Sequence, residues 1–558
     1  MKTVLRERRI LRFDLAALIL LISCMAFLFS SCKAPVLQEQ EDESSKAQGE
    51  SMVDAGDANF GNDDYYSDWK DQDPKYIELT GNSIVLKGPG AVVNGSKITI
   101  TAAGVYVISG KLDNGQIIVD VQNKGTVRLV LNGMEICCSD SAPIYVKNAG
   151  KVIVILQDGT ENTVTDGENY IFAGSGTNEP NAAIFSHDDL TINGSGRLTV
   201  RANYNNGIVS KDDLRITGGN IQIFSVDDGL TGRDMVAIKG GNIAIEAGGD
   251  GIKATNDTDA LKGFINIDGG TFAITAGADG IQAKTSVIVN GGEFSISSGG
   301  GSVNSSDKSD NKQDPWGRWG RNMTGTGGTA ANANIDDAES QSAKGIKSSS
   351  AIVINGGNFS IDSSDDAIHS NDSIAISGGN ISISSGDDGI HADSSITING
   401  GEISIAKCYE GIESAVISIL GGEINIVSKD DSINIAGGKD GSSVNGRPGQ
   451  NAFRSLGNDK LVINGGNIVL DALGDGLDVN GSIYMTGGTV IINGPTSDAN
   501  GALDYDGVFE ISGGRIIAAG SAGMAQAPSG QSKQNSVIMY YSRVQTAGTL
   551  FALKNSSG

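Results

Sequence analysis

The chain has 558 residues, 79 of them glycine and only 9 proline, with 5% aromatics and a formal charge of −25. So much glycine excludes a helical protein, and so little proline excludes a collagen-like or proline-rich disordered chain. So negative a charge argues against nucleic acid as a partner, because phosphate binding needs a basic face.

Residues 1–32 read as a lipoprotein-type signal peptide. Lys2, Arg6, Arg8, Arg9 and Arg12 form a basic start, LAALILLISCMAFLF at 15–29 an apolar stretch, and Ser30 and Ser31 precede Cys32. Fifteen apolar residues are short for a membrane span and suit an export signal, with an uncleaved anchor as the competing reading. FSSC resembles a bacterial lipobox, with Cys32 the expected lipidation site because polar sequence follows it at once; LISC, ending in Cys24, fits the pattern as well. The mature protein is therefore expected to be exported and held on the bacterial cell surface by a lipid alone. Losing five basic and two acidic residues leaves it at −28.

Residues 33–75 are acidic, serine-rich and poor in aliphatics, and are expected to form a disordered tether. From 76 to 188 short alternating runs such as KITITAAGVYVISG, QIIVDVQ and TVRLVLNG, bounded by Gly, Asn and Asp, predict a β-rich N-terminal part. No helix is expected after the signal segment. Over 189–520 a strand–turn–strand unit repeats: LRITGGNIQIFS, VAIKGGNIAIEA, IAISGGNISISS and further copies. The first glycine of each pair stands at 218, 240, 269, 291, 356, 378, 400, 421, 465 and 487, and twenty-two is the commonest step. Inserts at 298–343, carrying PWGRWGR with Trp316 and Trp319, and at 437–457 interrupt the rhythm as loops. Residues 521–558 are expected to be a C-terminal β segment. Twenty-two residues hold three short strands and three bends. Ile352, Ile354, Phe359, Ile361 and Ile368 recur one and two periods later as apolar columns. These features predict an all-β, right-handed parallel β-helix of about 22 residues per coil.

Ten residues beyond the first glycine stand Asp228, Asp250, Asp279, Asp366, Asp388, Glu410, Asp431 and Asp475, thickened by Asp227, Asp365, Asp387 and Asp430. In the coil after the first insert Lys344 takes this place. The acids should form a vertical column, turned outward by a bend that glycine eases. Asp-Gly pairs also favour bends in their own right, so turn chemistry is the competing explanation. Carboxylates about 4.8 Å apart repel by roughly 3–4 kcal/mol at an effective dielectric of 20. Ca2+ bridging adjacent coils would offset that, and suits irregular oxygen shells better than Mg2+. His369 and His391 should stack and point outward, first of all as exposed polar residues; ligand contact is the second reading and a metal-ligand pair the weakest. His187 is isolated. Cys137, Cys138 and Cys408 have neither disulfide nor zinc spacing and read as small buried hydrophobes.

LVLNGMEICCSDSAPIYVKNAGKVIVILQDGTENTVTDG at 129–167, EPNAAIFSHDDLTINGSGRLTVRANYNNGIVSKDDLRITGG at 179–219 and the succession of D-G-I coils resemble the bacterial carbohydrate-binding β-helix proteins of the DUF4353 type. The resemblance covers about 80–555. It implies a cell-surface protein of pectate-lyase-like fold that binds acidic plant polysaccharide, notably polygalacturonate or pectin, with calcium, and a non-catalytic binding role is the leading expectation. In that family sequence continues beyond the point where this chain stops. Lys253, Lys344, His369, His391, Trp316 and Trp319 are the candidate ligand contacts. The alternatives are a pectate-lyase-like enzyme, with Lys253, Lys344 or Lys347 as the base, and a structural adhesin binding protein through Trp316, Trp319 and their arginines. Neighbouring carboxylates push a lysine pKa upward, which argues against a lysine base.

Overall fold

The computed structural model describes residues 58–172, 178–305, 342–436, 459–546 and 548–550. Cys24, Cys32, Trp316, Trp319, the second insert and most of the first lie outside the described residues. The rest is a solenoid of short strands stacked in parallel. One coil shows the plan: Ile368–Ser370, Ser373–Ile376 and Asn380–Ser385, each pairing with its counterpart one coil away. Three ladders result. The acid column precedes the first, and the Gly-Gly pair separates the second from the third. In two coils the first and second ladders join in one strand, Ile390–Ile398 and Ile412–Ile419. Antiparallel pairs close the N-terminal end, Lys75–Gly81 with Ile84–Lys87 and Ala91–Asn94 with Lys97–Ile100.

Period-two alternation decides which side chains go inside. In Asn380–Ser385 Ile381 and Ile383 face the core, while Asn380 and Ser382 face out. Columns of isoleucine fill the coil from end to end, and Phe272, Phe294 and Phe359 stack face to face at 4.7 and 4.5 Å. Each buried aliphatic or aromatic side chain contributes roughly 1.5–3 kcal/mol.

The two glycine positions serve different ends. The second glycine of each Gly-Gly pair needs a backbone that side chains disfavour, as at Gly401 with φ +97°. The glycine after the acid is there for closeness instead: a Cβ at Gly251 would stand 2.5 Å from the Gly280 carbonyl and 2.5 Å from Ile274. Ala367 and Ser432 occupy the same place in other coils.

The expected tether ends sooner than residue 75. Residues from Ala58 onward lie along the outer face of the second ladder. Ala58 and Phe60 pack on Met235, Ala237 and Phe264, and Trp69 packs on Val105, Val107, Val130, Ile153 and Ile155. Between them the four-residue helix Asn62–Tyr65, contrary to expectation, buries Asp64. Its carboxylate meets Lys151 and accepts the Thr191 hydroxyl, and its carbonyl accepts from Asn193 and Thr217. Composition suggested a solvated strand of chain; one aspartate and one tryptophan with specific sockets override it. At the other end the last strand is Arg515–Ala519, and the described residues beyond it hold no strand where a β segment was expected.

Candidate functional site

The acids preceding the first ladder do form a vertical column, but they are not turned out to solvent. Asp228, Asp250, Asp279, Asp366, Asp388, Glu410 and Asp475 are buried, and Asp366 is wholly so. The reason is a side-chain ladder. Along most of the column an Oδ1 accepts the backbone N–H of the residue one coil on: Asn206 from Asp228, Asp228 from Asp250, Asp250 from Asp279, and Asp279 from Lys344. The ladder resumes from Asp366 to Asp388, and from Asp431 through Asp475 to Gly501. A carboxylate accepting a backbone N–H at a corner is a structural role, and explains why the position is kept in coil after coil.

The remaining oxygens face a second column, three residues beyond the acids. Strand register places Tyr145, Phe185, Val209, Thr231, Lys253, Gln282, Lys347, His369, His391, Glu413, Asn434, Asp478 and Asp504 in one line on the outer side of the first ladder. Its chemistry changes along the solenoid from aromatic, through basic, to acidic.

In the basic stretch every acid has a cation or amide. Lys253 bridges Asp228 at 3.1 Å and Asp250 at 2.7 Å; Gln282 donates to Asp279 at 2.7 Å, and Lys347 stands 3.5 Å from it. Lys344, wholly buried, reaches Asp366 at 2.5 Å and Asp365 at 3.1 Å. Burial alone would lower the Lys253 and Lys344 pKa values; the attached carboxylates outweigh it and raise both. Lys344 is thus an internal counter-ion, out of reach of a ligand, whereas Lys253 keeps a quarter of its side chain exposed.

The two histidines are buried as well, against the expectation that they point to solvent. Strand alternation does place them on the outer side, but each ring is wedged between the acid column and a polar residue beyond it. His369 Nδ1 lies 2.8 Å from Asp366 and its Nε2 3.0 Å from Asn371; His391 Nδ1 lies 3.1 Å from Asp388 and 3.4 Å from Glu413. The ring centroids lie 4.9 Å apart, one above the other along the solenoid, with the planes tilted by 46°. Burial would depress the His391 pKa, yet hydrogen bonds to Asp388 and Asp393 and the Glu413 charge raise it well above the usual range.

Beyond His391 the described residues of this line include no further cation. Burial, reinforced by Glu413, Asp388 and Asp431, raises the Glu410 pKa far above the ordinary carboxyl range. Burial, then Asp430 and Asp478, lift Asp431 to about 9. Asp478 rises to about 7 through burial, then Asp475 and Asp504, and Asp475 to about 6. One oxygen each of Asp431, Asp475 and Asp478 lies within 4.8 Å of the others. Two oxygens on one Ca2+ at 2.3–2.6 Å stand about 3–5 Å apart, so this trio fits such an ion. Asp365, Asp366 and Asp387 form a similar trio, already entered by Lys344. Of the other flanking acids, Asp227 accepts from Asn205 and Asp430 bonds the Tyr409 hydroxyl. Glu413, Asn434, Asp478 and Asp504 escaped the sequence reading; their signal was the fixed offset of three from the acid column.

His187, isolated in sequence, sits in an aromatic patch with Tyr145 and Phe185. Cys138 and Cys408 are buried and Cys137 partly so, and burial raises all three thiols, Cys138 to about 11.

Fold and site together define a parallel β-helix that carries, along one face, a column of acids and beside it a line of side chains running from aromatic through basic to acidic. The profile of the carbohydrate-binding domain-containing protein family matches residues 94–389, and the chain belongs to that family. A carbohydrate-binding domain-containing protein of Acetivibrio thermocellus is 48% identical over 134 residues, 24% of this chain and 47% of that protein, so the match spans about half the relative's length. A solved structure described as the polysaccharide lyase-like protein from C. thermocellum, a gadolinium derivative, is 44% identical with a TM-score of 0.40, covering 41% of this chain and 92% of the other.

Proposed function

We propose that the protein is a non-catalytic carbohydrate-binding solenoid that recognises acidic plant polysaccharide, polygalacturonate above all, through calcium held at the acidic end of the line. The supporting observation is the trio Asp431, Asp475 and Asp478, with Asp504 one coil further on. Among the described residues no lysine, arginine or histidine bridges these four carboxyls. A divalent cation there would offset two of the trio's three negative charges and leave coordination positions for a uronate carboxylate, which a bare surface of this charge would repel. Lys253, the partly exposed lysine of the basic stretch, offers a direct partner for a uronate further along the same chain. On this reading the protein acts outside the cell on a lipid attached at Cys32.

A lyase on this surface would need a lysine that loses its proton near neutrality. Lys253 and Lys344 are raised in pKa, the wrong direction for a base. The test is a pull-down on insoluble polygalacturonate, with calcium and with chelator, while the supernatant is followed for the absorbance of unsaturated uronides. Calcium-dependent retention without new absorbance is expected. Absorbance that grows with time would make the protein a lyase, and calcium-independent or absent retention would remove the bridge.

A further inference from the structure

Where the basic stretch meets the acidic one, three side chains converge that are neither a lysine-bridged pair nor an oxygen-only cluster. Asp388 Oδ2 lies 3.1 Å from His391 Nδ1, and Glu413 Oε2 lies 3.4 Å from the same nitrogen. All three donor atoms fall within 4.8 Å of one another, and all three residues are buried. Ligands at about 2.0–2.1 Å from a tetrahedral metal ion stand about 3.3 Å apart. Both contacts to Nδ1 lie close to that edge length. We infer that Asp388, His391 and Glu413 form a binding site for a d-block divalent cation of the zinc class, with the fourth position left to water or an outside ligand.

Three further features support it. The other ring nitrogen, Nε2, lies 3.5 Å from Asp393 Oδ1, the carboxylate–histidine arrangement that fixes a metal-bound imidazole in one tautomer. The donors sit on rigid elements: His391 and Glu413 are paired residues of the continuous strands Ile390–Ile398 and Ile412–Ile419. Charge also favours it. Three carboxylates meet the one ring at 3.1, 3.4 and 3.5 Å, a concentration of acidic oxygen that suits a divalent ion. An imidazole donor separates this site from the oxygen trio at Asp431, since hard cations prefer oxygen and zinc-class ions prefer nitrogen. The neighbouring set Asp366, His369 and His391 is a poorer candidate, because the Asp366 oxygen that faces His369 is already taken by Lys344. The inference does not depend on the carbohydrate reading.

Chelator-stripped full-length protein is titrated with Co2+ and followed in the visible region. One equivalent should give the intense band of a four-coordinate ion, displaced by equimolar Zn2+ and not by a hundredfold excess of Ca2+. His391→Gln and Glu413→Gln should each weaken Zn2+ at least tenfold, with the far-ultraviolet circular dichroism and the calcium response unchanged. If His391→Gln does not fold, Glu413→Gln carries the test. Absence of a stoichiometric four-coordinate band, or Zn2+ affinity unchanged in Glu413→Gln, would overturn the site and leave an imidazolium shared among carboxylates. Failure of polygalacturonate binding would leave the result untouched.

Discussion

Asp431→Asn should separate the two tasks of the acid column. The Asp431 Oδ1 accepts the Asp475 N–H at 2.5 Å, and an amide oxygen keeps that bond while removing the charge. Burial and then the Asp430 and Asp478 carboxylates hold the folded carboxyl at about 9, against 3.8 ordinarily. At pH 7 the folded form therefore holds a proton that the unfolded form has lost. For a group raised in this way the stabilising contribution is complete below about pH 4 and is lost progressively as pH climbs to about 9. Each unit of that window is worth up to about 1.4 kcal/mol. Asp431 is partly exposed and shares its proton with Asp478, so the net cost at pH 7 is on the order of 1–3 kcal/mol. In chelator, Asp431→Asn should thus be more stable than the parent at pH 7–8 and equal to it near pH 4, and it should lose the stabilisation that calcium gives the parent. Urea unfolding at the two pH values, with calcium and with chelator, reads all of this. A variant less stable than the parent at pH 7–8 in chelator would show that the charge is already compensated, and the argument for a cation there would fail.

Lys344→Met should act in the opposite sense, costing about 3–5 kcal/mol at pH 7 because Asp365 and Asp366 lose the buried cation they share, again read by urea unfolding. Calcium should bind more tightly at pH 8 than at pH 5, since it competes with the protons held by Asp431, Asp475 and Asp478; calorimetry in buffers of different ionisation heat should register protons released on binding. Phe294→Ala removes the middle ring of the stack and should cost about 3–5 kcal/mol without altering metal affinity. Gly401→Ala forces a side chain to φ +97° with its Cβ 3.0 Å from the Gly379 carbonyl, and a loss of about 1–3 kcal/mol is expected in the same assay.

The solenoid was legible because its period shows in three independent residue classes: glycine pairs, isoleucine columns and acids. Any one of them sets the register, and together they place every strand of the regular region. The vertical column of carboxylates followed directly. Its orientation did not, because strand alternation cannot tell a side chain projecting into water from one folded back to accept the next coil's N–H. Lys253 and Lys347 were visible as single candidates, but their alignment with Gln282, His369, Glu413 and Asp478 needed the constant offset of three from the acid column to be followed through every coil. Ala58 to Trp69 were misread for another reason: composition averages over a segment, whereas anchoring depends on single residues such as Asp64 and Trp69.

The ladders continue without a break across both interruptions of the repeat. Gln282 pairs with Lys347 and Phe294 with Phe359 although 65 residues separate each pair, and Ile417 pairs with Leu461 around the second interruption. The excess chain leaves between Ser298 and Lys344 in one case, and between Ile435 and Lys460 in the other, so both exits lie at corners and no hydrogen-bonded rung is lost. Corners of this kind are natural grafting points: a foreign peptide or small module spliced at either position would be displayed on the flank of a rigid rod, next to the ionisable line, with the spacing of every coil above and below preserved.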